Sequence, residues 1–203
     1  YQFKTKTDTE VLLAAYIKWG ENSLHKLNGD FSFVIYDTIE RTVFGARDRF
    51  GIKPFYYHLN SKKFVFASEI KAVLPLLETV KPNDKSIFEY LSYNRCDQSN
   101  ETFFDSIFKI PHGHCFTLID GKLKIKKWYD LEASLNHPTP LTPEAYREEL
   151  RKAVKLRLRS DVPIGVCLSG GIDSSTLTSI LTSDFNLTEL KTFSVQTTSM
   201  ATF

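Results

Sequence analysis

The sequence predicts an α+β unit of layered, mostly antiparallel sheets with helices, followed by the start of an α/β unit on a parallel sheet. Three observations carry this expectation. Up to about residue 130, aromatic and β-branched runs come in pairs separated by short turns. A polar, proline-rich stretch over 134–142 then breaks the pattern and reads as a linker. Beyond it, a capped helix leads to a short apolar run, a glycine turn, another helix and a further apolar run, the order of a strand–loop–helix–strand unit.

The elements follow in order. Thr7-Asp8-Thr9-Glu10 has the form of a capping box, with Thr7 accepting from first-turn amides and Glu10 reaching back. Val11, Leu12, Ala15, Tyr16 and Trp19 give the helical stripe behind it, and Gly20 ends it, before a second short helical piece at about 21–27. After the Asn28-Gly29-Asp30 turn, strands are expected over 31–36 and 42–47, joined through Glu40-Arg41. Residues 55–59 and 64–67 flank Asn60-Ser61 as a hairpin, and Ser68 is expected to cap a helix from Glu69 to about Leu74. Asn83-Asp84 opens a further helix, and strands over 114–119 and 122–128 flank Asp120-Gly121, a strong hairpin pair. Past the linker, Thr142-Pro143 is a helix start with Thr as cap and Pro at the first position. Tyr146, Leu150, Ala153, Val154 and Leu158 form its stripe, whereas Arg151, Lys152, Lys155, Arg157 and Arg159 read as a solvated charged face. Ile164 to Leu168 carries the pattern of a buried parallel strand, 174–181 of a helix and Thr192 to Val195 of the next strand.

The chain of 203 residues carries 26 Lys and Arg against 24 Asp and Glu, a net charge of +2. That balance offers no electrostatic footprint for nucleic acid or an anionic membrane, and no apolar run has the length of a membrane-spanning helix. Cys96, Cys115 and Cys167 form no CxxC pair and read as free thiols of a reducing, cytoplasmic setting. The five histidines show no metal-ligand spacing. Residue 1 is Tyr rather than Met, so the chain reads as processed, trimmed or a fragment.

The chemistry concentrates in Ser169-Gly170-Gly171-Ile172-Asp173-Ser174-Ser175, set between an apolar run and a helix. Glycines let a backbone approach an anion closely. Amides at the helix start point towards it, and the helix dipole favours negative charge there. Ser169, Ser174 and Ser175 add hydroxyls. The loop lacks the lysine of a Walker A motif and the spacing of the dinucleotide fingerprint. Asp173 repels a phosphate unless Mg²⁺ lies between them, an ion that takes a carboxylate together with phosphate oxygens. The bland alternative is a plain glycine turn with Asp173 capping the helix.

Ser169 to Ser174 resembles SGGxDS, the pyrophosphate-binding loop of the ATP pyrophosphatase superfamily. The text before it, Ser160-Asp161-Val162-Pro163-Ile164-Gly165-Val166-Cys167-Leu168, is similar to the SDVPxGxxLSGG entry of glutamine-hydrolysing asparagine synthetases. Upstream, 46–57 resembles that family's ARDRxGxKPLYY stretch, 66–72 its FASEIKA stretch, and 27–37 its LxGxFxFxxYD strand. The likeness runs from Thr7 to about Val195 through several motifs in order.

The resemblance implies a partial glutaminase-type domain over 1–133, a linker over 134–142 and a partial ATP pyrophosphatase domain over 143–203. It implies that Asp8 binds the α-amino group of glutamine, a carboxylate being the natural partner of an ammonium. Leu168 and Val195 would meet the adenine end of ATP through their backbones. Ser169, Gly170, Gly171, Asp173 and Ser174 would hold pyrophosphate, with Asp173 on Mg²⁺. Glutamine, aspartate and ATP are then the small-molecule substrates, no nucleic acid or membrane is expected, and a homodimer is allowed for. Arg47 and Asp48 are read as structural. The family's glutaminase nucleophile is an N-terminal Cys using its own amine as base; Tyr1 is not that residue, so no catalytic residue is assigned and the chain alone is expected to be inactive. Two other readings stay open: a related adenylating amidotransferase, of β-lactam synthetase or polysaccharide-modifying type, and a degenerate module that binds without chemistry.

Overall fold

Thr7 takes an extended backbone, and its hydroxyl accepts from the Glu10 amide at 3.4 Å, which opens α1 (Asp8–Trp19). The reciprocal half of the expected capping box is absent. The Glu10 carboxylate instead accepts from the Lys4 and Thr5 amides, at 2.9 and 2.7 Å, and from the Thr5 hydroxyl at 2.6 Å. These bonds, the Thr5 hydroxyl foremost, hold its carboxyl below the ordinary range. Two residues of the predicted α1 stripe, Val11 and Trp19, face solvent, while Ala15 is buried and Tyr16 stacks on Phe44 at 4.8 Å. Gly20 closes the helix at φ +56°, and a 3₁₀ stretch, Gly20–Lys26, delivers Leu24 into the core.

The computed structural model describes residues 1–135 and 142–195, in two units divided near residue 136. In the first, β1 (Ser32–Asp37), β2 (Thr42–Arg47), β6 (His114–Ile119) and β7 (Lys122–Lys127) form an antiparallel sheet in the order β1-β2-β6-β7. Its tight turns are as the sequence predicts. Asp37 Oδ1 accepts from the amides of Ile39 and Glu40, and Asp120 and Gly121 both take positive φ, 49° and 74°, the conformation a two-residue hairpin needs. A second antiparallel sheet has the order β4-β3-β5, from β3 (Tyr56–Leu59), β4 (Phe64–Ala67) and β5 (Phe108–Lys109). Asn60 closes the β3–β4 turn by accepting from the amides of Lys62 and Lys63.

One core cluster gathers Leu24, Phe44, Ala46, Cys115 and Trp128; another joins Phe55, Ile110 and Phe116 with Tyr57 and Phe64. Phe31 and Phe33 pack on the first cluster. Phe66 remains 44% exposed although its ring stacks on Phe55. Ser68 does not cap α2 (Ile70–Val73): Glu69 holds the cap position without a side-chain bond, so this single turn continues into 3₁₀ at Leu74–Leu76 without a fixed start. Helix α3 (Asp84–Tyr93) begins as predicted, with Asn83 accepting from the Ser86 amide. Asp130 likewise caps the short α4 (Leu131–Ser134).

The second unit starts with α5 (Pro143–Arg157), where Thr142 accepts from the Ala145 amide at 3.2 Å. Strand β8 (Gly165–Cys167) pairs in parallel with β9 (Lys191–Phe193), and α6 (Ile172–Ser179) lies between them in sequence. The expected burial of β8 does not hold: Gly165 and Cys167 are exposed, since this sheet has two strands and apolar cover comes from one side, through Val166. The proline-rich linker residues 136–141 lie outside the described residues.

Candidate functional site

Strand β8 ends at Cys167 and α6 starts at Ile172, so four residues turn the chain from strand to helix. Gly170 stands at φ +83°, a conformation that costs an L-residue roughly 1–2 kcal/mol. Gly171 precedes the helix in extended conformation and offers no side-chain cap. The Ser174 hydroxyl does part of that work from inside the helix. It donates to Gly171 O at 3.2 Å, accepts from the Ser169 amide at 3.3 Å and lies 3.2 Å from the Ser169 hydroxyl. The Ser169 hydroxyl in turn accepts from the Gly171 amide at 3.4 Å.

The loop is thus braced by serines on its inside, while Ser169, Gly170, Gly171 and Asp173 remain exposed. No atom lies within 4 Å of where a Cβ on Gly170 would sit, so the turn is open to solvent. The opening amides of a helix have no intrahelical acceptor, and here they sit beside that opening. This arrangement suits an oxyanion chemically: amide donors, hydroxyls and the positive end of a helix.

The ends of the two strands meet at the same place. The Leu168 amide donates to Phe193 O at 2.8 Å, and the Ser194 hydroxyl donates to Leu168 O at 2.7 Å. Leu168 and the segment leading to Val195 are therefore adjacent at the carboxyl ends of parallel strands, where open α/β sheets hold ligands. Val195 itself is 95% exposed. Ser194, which makes the link, was not legible from sequence, because it depends on the register of two strands 26 residues apart.

Asp173, in the first turn of α6, is exposed. Among the described residues no group of three or more His, Cys, Asp or Glu gathers in a way that could hold a metal ion. A single exposed carboxylate beside the glycine loop fits Mg²⁺ only where a bound ligand's own oxygens complete the shell, and does not fit a cage of protein ligands.

In the first unit Asp8 is the first residue of α1 and is exposed, a carboxylate at the positive helix end. The charged run Arg47-Asp48-Arg49 builds scaffold. Asp48 is 1% exposed, and its carboxylate accepts from the amides of Phe50, Ile52 and Lys53 at 2.9–3.1 Å. Arg47 donates to the carbonyls of Gly51, Lys53 and Ile110 at 2.7–2.8 Å. Burial lowers the Arg47 pKa from its ordinary value, with the Asp48 charge opposing. Arg49 donates to Leu27 O at 2.6 Å beneath the rings of Trp128 and Tyr129. The side chains of Arg47 and Asp48 thus hold the 50–53 loop, and Arg49 ties its start to Leu27.

A family model for a glutamine amidotransferase domain matches residues 1–129. The chain belongs to the glutamine amidotransferase domain family. In this amidotransferase chain, residues 145–202 match a second model, asparagine synthase. It is 35% identical over 197 residues to a putative glutamine-hydrolysing asparagine synthetase 2 of Methanocaldococcus jannaschii, covering 95% of this chain and 38% of that protein. To glutamine-hydrolysing asparagine synthetase 1 of Bacillus subtilis it is 35% identical over 198 residues, 96% of this chain and 31% of that one. The amidotransferase chain therefore spans about a third of the length of these relatives. A solved structure of glutamine phosphoribosylpyrophosphate amidotransferase from B. subtilis aligns with a TM-score of 0.43 at 16% identity, over 95% of this chain and 40% of that one.

Proposed function

We propose that the protein carrying this chain is a glutamine-hydrolysing asparagine synthetase. One observation carries the reading: Ser169-Gly170-Gly171 opens at the start of α6 and at the joined ends of two parallel strands. The likeness to asparagine synthetases over most of the chain supports it.

On this reading glutamine is hydrolysed in the first unit, and Asp8 binds its α-ammonium. The reading assigns the nucleophile to none of Cys96, Cys115 and Cys167, since none is N-terminal. In the second unit, the β-carboxylate of aspartate attacks the α-phosphorus of ATP. The bond to the bridging oxygen of pyrophosphate breaks, leaving β-aspartyl adenylate. Ammonia then attacks the acyl carbon, AMP departs, and asparagine forms. Mg²⁺, when bound, neutralises charge on the polyphosphate, and Asp173 would hold it there. The amides beside Gly170 and Gly171, with the hydroxyls of Ser169 and Ser174, receive the charge that develops on pyrophosphate. The serine bonds hold the loop backbone in place beforehand, and the Ser174 hydroxyl, which donates to Gly171 O, turns towards the phosphate when it binds. Leu168 and Val195 supply backbone to the adenine end.

The test is an assay of the full-length protein with Mg·ATP, aspartate and either glutamine or ammonia. Asparagine, AMP and pyrophosphate are expected in equal amounts. Ser174→Ala should slow both reactions by at least tenfold, and Asp8→Asn only the glutamine-driven one. Release of ADP and phosphate, or no dependence on aspartate, would overturn the reading.

A further inference from the structure

Helix α6 does not end as an ordinary helix. Its eight residues run straight into one wide turn, Ile180–Asp184, in which the Phe185 amide donates to Ile180 O, five residues back. Such turns are rare and recur at functional sites. Here the extra residue rotates Asp184 towards α5, where Arg151 Nε lies 3.2 Å from Asp184 Oδ2 and Arg147, one turn earlier, lies 3.9 Å from Oδ1. The Asp184 side chain is 15% exposed. Its Oδ2 is inaccessible and has no aligned hydrogen bond, so the contact with Arg151 is mainly charge on charge. Beside it, Val154 of α5 packs with Ile180 and Leu181 of the turn.

A line of hydroxyl bonds joins this far end to the glycine loop. Thr182 Oγ1 donates to Thr178 O at 2.9 Å, and Thr178 Oγ1 donates to Ser174 O at 2.8 Å. Ser174 is the residue that braces the loop. We propose that Arg151 and Asp184 are positioning residues for the nucleotide site: by clamping the far end of α6 to α5, they set the direction in which its opening amides face a bound polyphosphate. This rests on the asparagine synthetase reading of the loop.

The geometry gives the clamp leverage. An eight-residue helix is about 12 Å long, so a tilt that moves Asp184 by about 1 Å also turns the amide fan at the other end. A misplacement of about that size in a reacting group can cost about a hundredfold in rate. Arg151 lies on the helix face that sequence patterning assigns to solvent, and Asp184 lies in a wide turn that periodicity does not signal.

The experiment uses the full-length protein with Asp184→Asn, Arg151→Gln and Arg151→Lys. It measures Mg·ATP affinity calorimetrically, KM and kcat for ammonia-driven synthesis, and the melting temperature, with kinetics run well below melting. Asp184→Asn and Arg151→Gln are each expected to weaken Mg·ATP binding by about five- to tenfold, leaving KM for aspartate within twofold. Arg151→Lys, which keeps the charge, is expected to recover at least half of that loss. Unchanged Mg·ATP affinity in the first two variants overturns the proposal whether or not they melt earlier. So does a loss that Arg151→Lys fails to relieve. If the wild-type protein binds no Mg·ATP, the nucleotide reading itself falls and this proposal with it, whereas binding that only Ser174→Ala disturbs would sink the clamp alone.

Discussion

Gly45 faces the ring of Phe116 across the β2–β6 ladder so closely that a Cβ on Gly45 would lie 2.4 Å from two ring carbons. Phe116 is 1% exposed and touches Phe55 and Phe64 edge-on, so its ring has nowhere to go. Gly45→Ala should therefore destabilise the first unit by about 2–3 kcal/mol, within the cost of overpacking a closed core. Chemical denaturation would measure it, and adding Phe116→Leu should recover part of the loss. An unchanged midpoint for Gly45→Ala would contradict the packing described.

Asp48 offers a second point of attack. Its carboxylate is the buried acceptor for three amides of the 50–53 loop. Asp48→Ala strands those donors, each with a cost of about 1–3 kcal/mol if it stays dry. Local opening will relieve some of that, so a loss of about 3 kcal/mol is expected. Amide exchange should show the loop at Phe50, Ile52 and Lys53 losing protection first. Protection that persists there while the strands fray would refute the assignment.

Cys115 provides a pH signature. Burial, with a smaller push from Glu21, raises its thiol from the ordinary value of 9.0 to about 11. Below about pH 9 the thiol is neutral in both folded and unfolded chains and has no effect. Between about pH 9 and 11 the unfolded thiol loses its proton while the folded one keeps it, so the contribution falls as pH rises. At pH 8, iodoacetamide should label the exposed Cys96 and Cys167 and leave Cys115 unreacted until denaturant is added. Equal labelling of all three in the native protein would contradict this.

The glycine loop separates stability from binding. Gly170→Ala meets no steric obstacle but must adopt φ +83°, so it should cost about 1–2 kcal/mol in stability. Its methyl would project into the open face of the turn, and Mg·ATP affinity should fall by tenfold or more. Calorimetric titration beside a melting curve reads both quantities. A variant that melts early yet binds normally would move the nucleotide elsewhere.

What the sequence determined by itself was local. Thr7, Asn83 and Thr142 start helices because each cap hydroxyl or amide reaches an amide three residues on. Asp120-Gly121 turns the chain because its neighbours pair at once. The strand–glycine loop–helix order needs only adjacent residues to be recognised, so the loop's place between β8 and α6 was legible in the sequence.

Tertiary structure decided what depends on distant segments. Which strand end meets Leu168, which carboxylate receives Arg151, and which ring lies over Gly45 each follow from register and packing. Glu10 left its expected partner because Thr5 offered a shorter bond once the preceding chain folded over the helix start. Short-range bonds form at small entropic cost and leave a periodic trace in the chain. Long-range ones close only after the loops between them are fixed, and no spacing rule records them.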